Sequence, residues 1–187
     1  MKSIKRLLPI GVFLFCGLAG GSMAQSAADI AEMKKKLLEV QQTKEQEKAE
    51  LSNFDDLDFN VYSNRRWDLF EKSHSKDIIV HYPDGSTTKG LDAHIAALKP
   101  QFVFAPDSKI IDHPIRIASG AWTAVMGTMS GTFSQPMPTA NGKTIAPTGK
   151  QFKLNMVTVA HWEKNQMVEE WLFWDNNAFM KQIGVAP

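Results

Sequence analysis

Two side chains near the C-terminus hold the sharpest chemical potential in this sequence. Asp175 closes the aromatic run Trp171-Leu172-Phe173-Trp174. A carboxyl group desolvated among such neighbours has a raised pKa and can take or give a proton near neutral pH. His161 stands fourteen residues earlier, across a short polar connection. An imidazole brought beside a carboxyl group can orient it, share its proton or bind a substrate oxygen. Both residues also admit plainer roles. Asp is a favoured N-cap, and a terminal helix from Asn176 to Ile183 would begin just after Asp175. His161 suits a sheet position packed against a neighbour.

The element that must position the two is a hairpin. Gln151 to Glu163 and Val168 to Asp175 are β-rich runs around Lys164-Asn165-Gln166-Met167, the pattern of two antiparallel strands. Side chains alternate faces along a strand. Asn155, Val157, Val159 and His161 therefore share one face, and Leu154, Met156, Thr158, Ala160 and Trp162 the other. In the second run Glu169, Trp171, Phe173 and Asp175 share a face. Which faces coincide is a matter of register, and the sequence leaves it open.

Upstream, Asp77 to Tyr82 reads as a strand ended by Pro83, with Asp84-Gly85 as a turn. Leu91 to Leu98 is a short helix stopped before Pro100. Lys109 to Ala118 and Ala121 to Phe133 are two more strands, followed by a turn-rich loop holding Pro136, Pro138, Asn141-Gly142 and Pro147. Phe54, Leu57, Val61, Trp67, Leu69 and Phe70 lie before the first strand, in a stretch that resembles the long first helix and the following helix of the family described below. Helices first and a run of strands after them is an α+β order. A curved antiparallel sheet wrapped around helices makes a cone with one open, apolar-lined end, where a small molecule would sit.

The motifs carry a resemblance. The turn Pro147-Thr148-Gly149-Lys150, the long apolar strand, the strand end Glu169/Trp171/Asp175 and the closing Gln182-Ile183-Gly184 resemble the SnoaL-like polyketide cyclases, also called ester cyclases. That family lies within the nuclear-transport-factor-2-like superfamily. Val80-His81-Tyr82-Pro83-Asp84-Gly85 and Lys89-Gly90 extend the resemblance, which covers residues 54–185. It implies an α+β cone and acid/base chemistry in which Asp175 is the acid/base and His161 supports it. His81 matches a pocket-rim position. Tyr62, Trp67, Trp122, Asn155 and Trp171 complete the expected substrate-binding set, with ordinary core packing as the competing role for the tryptophans. His74, His94 and His113 read as surface residues.

Other chemistries lack their signatures. No His-x-His or His-x-x-x-His pair is present, so no metal is expected, and no cofactor loop or Gly-x-Ser-x-Gly motif occurs. Water attack on an epoxide would want a second carboxylate and an Arg, and Arg116 alone is available in the sheet region. The functional expectation is a cofactor-free cyclase or isomerase acting on a small hydrophobic carbonyl compound. A binding module of the same fold, without catalysis, is the alternative.

Residues 1–24 read as a secretory leader, with a basic start (Lys2, Lys5, Arg6), the apolar stretch Leu7 to Leu18 and small residues before a cut after Ala24. A periplasmic or secreted protein is expected, with no membrane association in the mature form. Cleavage removes the single cysteine, Cys16, and leaves 18 basic against 20 acidic side chains. That balance gives no electrostatic reason to bind nucleic acid. Residues 25–50, free of Gly and Pro and dense in Lys, Glu and Gln, form a helical arm or linker, and residues 51–187 the domain. Ile30, Met33, Leu37 and Val40 recur at helical spacing in the arm, and a homodimer is left open among the partners.

Overall fold

The computed structural model describes residues 19–139 and 142–185. The expected leader, Cys16 included, lies mostly outside them, as does Asn141 of the expected Asn141-Gly142 turn. By contacts the chain divides into Met1–Gln41 and Gln42–Pro187, a boundary that falls within helix α1 (Ala19–Asp56). In the first unit Ile30, Met33, Leu37 and Val40 are exposed. The second unit begins earlier than the expected boundary at residue 51. Glu47 and Glu50 are buried, and Glu47 accepts a hydrogen bond of 2.9 Å from the Gly120 N–H.

After Asp56 the helix widens into a π turn, Leu57–Tyr62. Its hydrogen bonds run five residues back, from Ser63 N to the Asp58 carbonyl and from Arg66 N to the Val61 carbonyl. Such wide turns recur at functional sites because they rotate a helix face. Here the Ser63 hydroxyl donates to the Asp58 carbonyl (2.6 Å) and accepts from Ile110 N (2.9 Å), which ties the turn to the sheet. A 3-10 helix, Trp67–Lys72, leads into strand β1 (His74–His81). Then come β2 (Thr87–Lys89), α2 (Leu91–Leu98), α3 (Gln101–Phe104), β3 (Lys109–Ser119) and β4 (Trp122–Thr132). A small pair, β5 (Met137–Pro138) and β6 (Thr144–Ile145), precedes β7 (Gln151–Glu163), β8 (Gln166–Trp174) and α4 (Asn176–Gln182).

The main sheet has the order β2-β1-β8-β7-β4-β3. All its pairings are antiparallel except β1 with β8, which is parallel. The β7–β8 hairpin forms as expected. Its tip residues Lys164 and Asn165 both have positive φ (51° and 63°), the backbone of a two-residue type I′ turn. Parity sorts the sheet. Phe152, Leu154, Thr158, Ala160 and Trp162 of β7 are buried on one face, with Val125 and Met129 of β4 and Leu172 of β8. The Trp162 indole N–H donates to Thr123 Oγ1 at 2.8 Å within this core.

Candidate functional site

The inner face of the sheet and the segments packed on it enclose a cavity of about 580 Å³. Its walls are mostly apolar, with Phe54, Leu57, Leu154, Met156, Leu172 and Trp174 among them. Three carboxylates line it, Asp58, Glu170 and the exposed Asp84, with His74, His94, Tyr62 and Tyr82. An apolar concavity with a few convergent polar groups is the usual form of a small-molecule site.

Asp58 reaches the cavity from the π turn and keeps 18% of its side-chain surface exposed. Its Oδ2 lies 2.8 Å from His113 Nε2, while His113 Nδ1 lies 2.8 Å from Asp55 Oδ1. Arg116 in turn holds Asp55 at 2.8 Å. Burial pushes the Asp58 carboxyl above its ordinary value of 3.8, against the hydrogen bond and charge of His113 that pull it down. Burial also opposes charge on His113. The hydrogen bonds and charges of Asp58 and Asp55 outweigh this and leave the imidazole above 6.5. Tyr62, on the same turn as Asp58, is raised by burial and by the Asp58 charge, so its hydroxyl stays protonated.

Glu170 and two histidines make a second cluster, more deeply buried. Glu170 Oε1 lies 3.2 Å from His94 Nε2 and 3.8 Å from His74 Nε2, and the three side chains are 1–4% exposed. Burial works to raise Glu170, and the pull of His94 together with the hydrogen-bonding and charge of His74 outweighs it and holds the carboxyl below 4.5. Burial lowers His94 to about 4, with Glu170 opposing the shift and His74 adding to it. The outward nitrogens are occupied. His94 Nδ1 meets the Tyr82 hydroxyl at 3.0 Å, and His74 Nδ1 meets Ser73 Oγ at 2.9 Å.

Of the residues expected from sequence, Tyr62 alone lines the cavity. Asp175 is exposed, and its Oδ1 accepts from Ala178 N at 2.9 Å as the N-cap of α4. The expectation of a desolvated, cavity-facing Asp175 gives way to the capping role. His161 pairs with Glu169 in the hairpin register. Six further residues along β8, at roughly 3.3 Å each, put Asp175 about 20 Å away along the strand direction. His161 stacks on Trp122 at 4.6 Å, and both stand on the outer face of the sheet. His81 joins them there, bonded to Glu169 at 2.8 Å and stacked on Trp171 at 4.9 Å. Asn155 is exposed on that same face, where its side-chain oxygen accepts from Thr128. Trp67 packs against Tyr62, Phe70 and Phe102 outside the cavity lining.

The expectation that His74, His94 and His113 lie at the surface is overturned: all three side chains are buried. Asp58 and Glu170 were missed altogether. Parity held a clue, because Glu170 shares its face with Leu172 and Trp174, and that face meets the one carrying Leu154, Met156 and Thr158.

A helix-backed, curved mixed sheet closing on an apolar cavity defines the class: an α+β fold of the nuclear-transport-factor-2-like type. A family model, SnoaL-like polyketide cyclase, matches residues 42–183, and the chain belongs to that family. Among solved structures it is similar to a candidate SnoaL-like polyketide cyclase from Jannaschia sp. CCS1, at 17% identity and a TM-score of 0.63 over 75% of this chain and 94% of that one. IdmH, a candidate polyketide cyclase from Streptomyces antibioticus, matches at 17% identity and a TM-score of 0.61, over 75% of this chain and 99% of its own. An NTF2-like protein of unknown function from Burkholderia pseudomallei K96243 gives 18% identity and 0.57, over 73% and 98%. At these identities the likeness is one of fold. No curated protein matches the sequence significantly.

Proposed function

We propose that this protein is a cofactor-free acid/base catalyst of the cyclase or isomerase type, acting on a small hydrophobic carbonyl compound in the cavity. Asp58 takes the proton next to the carbonyl, and the Tyr62 hydroxyl donates to the carbonyl oxygen as negative charge develops there. His113 is a positioning residue: held between Asp55 and Asp58, it fixes the carboxylate without entering the cavity lining. The observation that carries the reading is a largely buried carboxylate with an imidazole behind it and apolar walls around it. The same cavity without chemistry would make a binding module, a reading that the apolar lining alone supports. Export to the periplasm or beyond is part of the proposal, supported by the basic and apolar composition of residues 1–24.

The test is a carboxyl-carbon NMR titration of Asp58, assigned through Asp58→Asn. The groups facing Asp58 are His113 from β3, Asp55 from its own helix, and the more distant charges of Glu170 and His74. Because burial dominates, the midpoint should lie above 3.8 and rise further when a hydrophobic ketone fills the cavity. The basic form then accumulates only above that raised value, so activity should fall on the acid side through it. A midpoint at or below 3.8, unmoved by ketones, would remove Asp58 from the role of base.

A further inference from the structure

We propose that His74, His94 and Glu170 form a binding site for one divalent transition-metal ion, open toward the cavity. Their ligand atoms lie within 4.8 Å of one another, and all three side chains are more than nine-tenths buried. Two imidazoles and one carboxylate are the donor set of many zinc and non-haem iron sites that keep open positions.

Lone pairs decide what the cluster can hold. The Ser73 hydroxyl donates to the Phe70 carbonyl, so toward His74 Nδ1 its oxygen accepts. The same Nδ1 faces the Phe70 carbonyl at 3.4 Å, and a carbonyl only accepts. Nδ1 of His74 therefore carries a hydrogen, and in the neutral ring Nε2 presents a bare lone pair to Glu170. The Tyr82 hydroxyl can accept from His94 Nδ1 while donating to Thr88 Oγ1, at 3.0 and 3.3 Å, which frees His94 Nε2 in the same way. Against both stands Glu170 Oε1, buried and without a hydrogen-bond partner. An unpaired buried carboxylate oxygen is costly, and a cation between the three atoms removes the cost.

Ligands 2.0–2.2 Å from an ion stand about 3.3 Å apart across a tetrahedral angle. The Glu170 oxygen lies 3.2 Å from one imidazole nitrogen and 3.8 Å from the other, and the three ligand atoms all fall within 4.8 Å. Closing on an ion therefore asks the two imidazoles to draw together by up to about 1.5 Å. Ser73 and Tyr82 supply the outer hydrogen bonds that fix ring orientation in such sites. The remaining coordination positions face the cavity, where an oxygen of a bound molecule would complete the shell. Ion binding stands independently of the acid/base proposal. Only a Lewis-acid use of the ion on a bound carbonyl would rest on that reading.

Cobalt(II) titrated into chelator-stripped, tag-free full chain tests the site, in a Cys16→Ser background so that no thiol competes. One equivalent per chain should bind and give visible ligand-field absorption, displaced by zinc. His94→Gln and Glu170→Gln should each weaken binding about 100-fold or more, and Tyr82→Phe by about 10–100-fold. His161→Ala, on the outer face, should leave it unchanged. Should the buried variants not fold, the wild-type stoichiometry and spectrum together with Tyr82→Phe decide the matter. Absence of saturable binding tighter than about 0.1 mM would overturn the proposal. So would binding that survives His94→Gln and Glu170→Gln.

Discussion

Asp175 and Asp58 show how one residue type takes its chemistry from its surroundings. Asp175 follows three large apolar residues, yet strand parity and the start of α4 turn it to solvent, where it caps a helix. Asp58 sits in the acidic stretch Asp55-Asp56-Leu57-Asp58 and becomes a cavity carboxylate on the π turn. A capping Asp tolerates Asn and loses ~1 kcal/mol on change to Ala. Asp175→Asn should therefore match wild type in urea denaturation, and Asp175→Ala should fall by that amount. Neither should alter ligand handling. A loss of activity in a stable Asp175→Asn variant would return the catalytic role to this residue.

Among the elements, the strands were legible and the working face was not. The extents of β3, β4 and β7 follow from β-branched and apolar alternation, whereas the connection expected over Lys164–Met167 shortens to a Lys164-Asn165 tip, with Gln166 and Met167 in β8. The face could not be chosen, because Val157 and Val159 make the outer side of β7 nearly as apolar as the side bearing Leu154 and Met156. The buried cluster was out of reach for a different reason. His74 and His94 belong to a strand and a helix, and Glu170 meets them through the parallel pairing of β1 with β8, a long-range contact no local motif encodes. The start of the domain was likewise hidden in an uninterrupted helix-forming stretch, within which Glu47 reaches the backbone of Gly120. A chain begun at Gln42 should melt within a few degrees of the full protein. One begun at Leu51 loses Glu47 and Glu50 and should melt about 5 °C lower or more. Equal melting temperatures for the two would show that those glutamates contribute nothing to the fold.

For the molecule as a whole, the sheet's two faces divide the aromatic residues between different roles. Trp122, Trp171, His81 and His161 stack on the outer side, whereas Tyr62, Phe54 and Trp174 enclose the cavity with Asp58. Family membership and the fold agree with a chamber for a small molecule, and the central claim is that proton abstraction takes place inside it. No helix among the described residues is long and apolar enough to cross a membrane. Hydrophobic cyclic ketones incubated with the protein in deuterium oxide report that chemistry by mass, whatever product the cell makes. Exchange at the carbon next to the carbonyl should run faster with wild type than with buffer. It should fall by roughly 10²–10⁴-fold in a folded Asp58→Asn variant, the usual share of a general base, and stay unchanged in Asp175→Asn. Exchange that is absent from wild type across the ketones that bind, or that persists undiminished in Asp58→Asn, would contradict the claim and leave a cavity that binds without reacting.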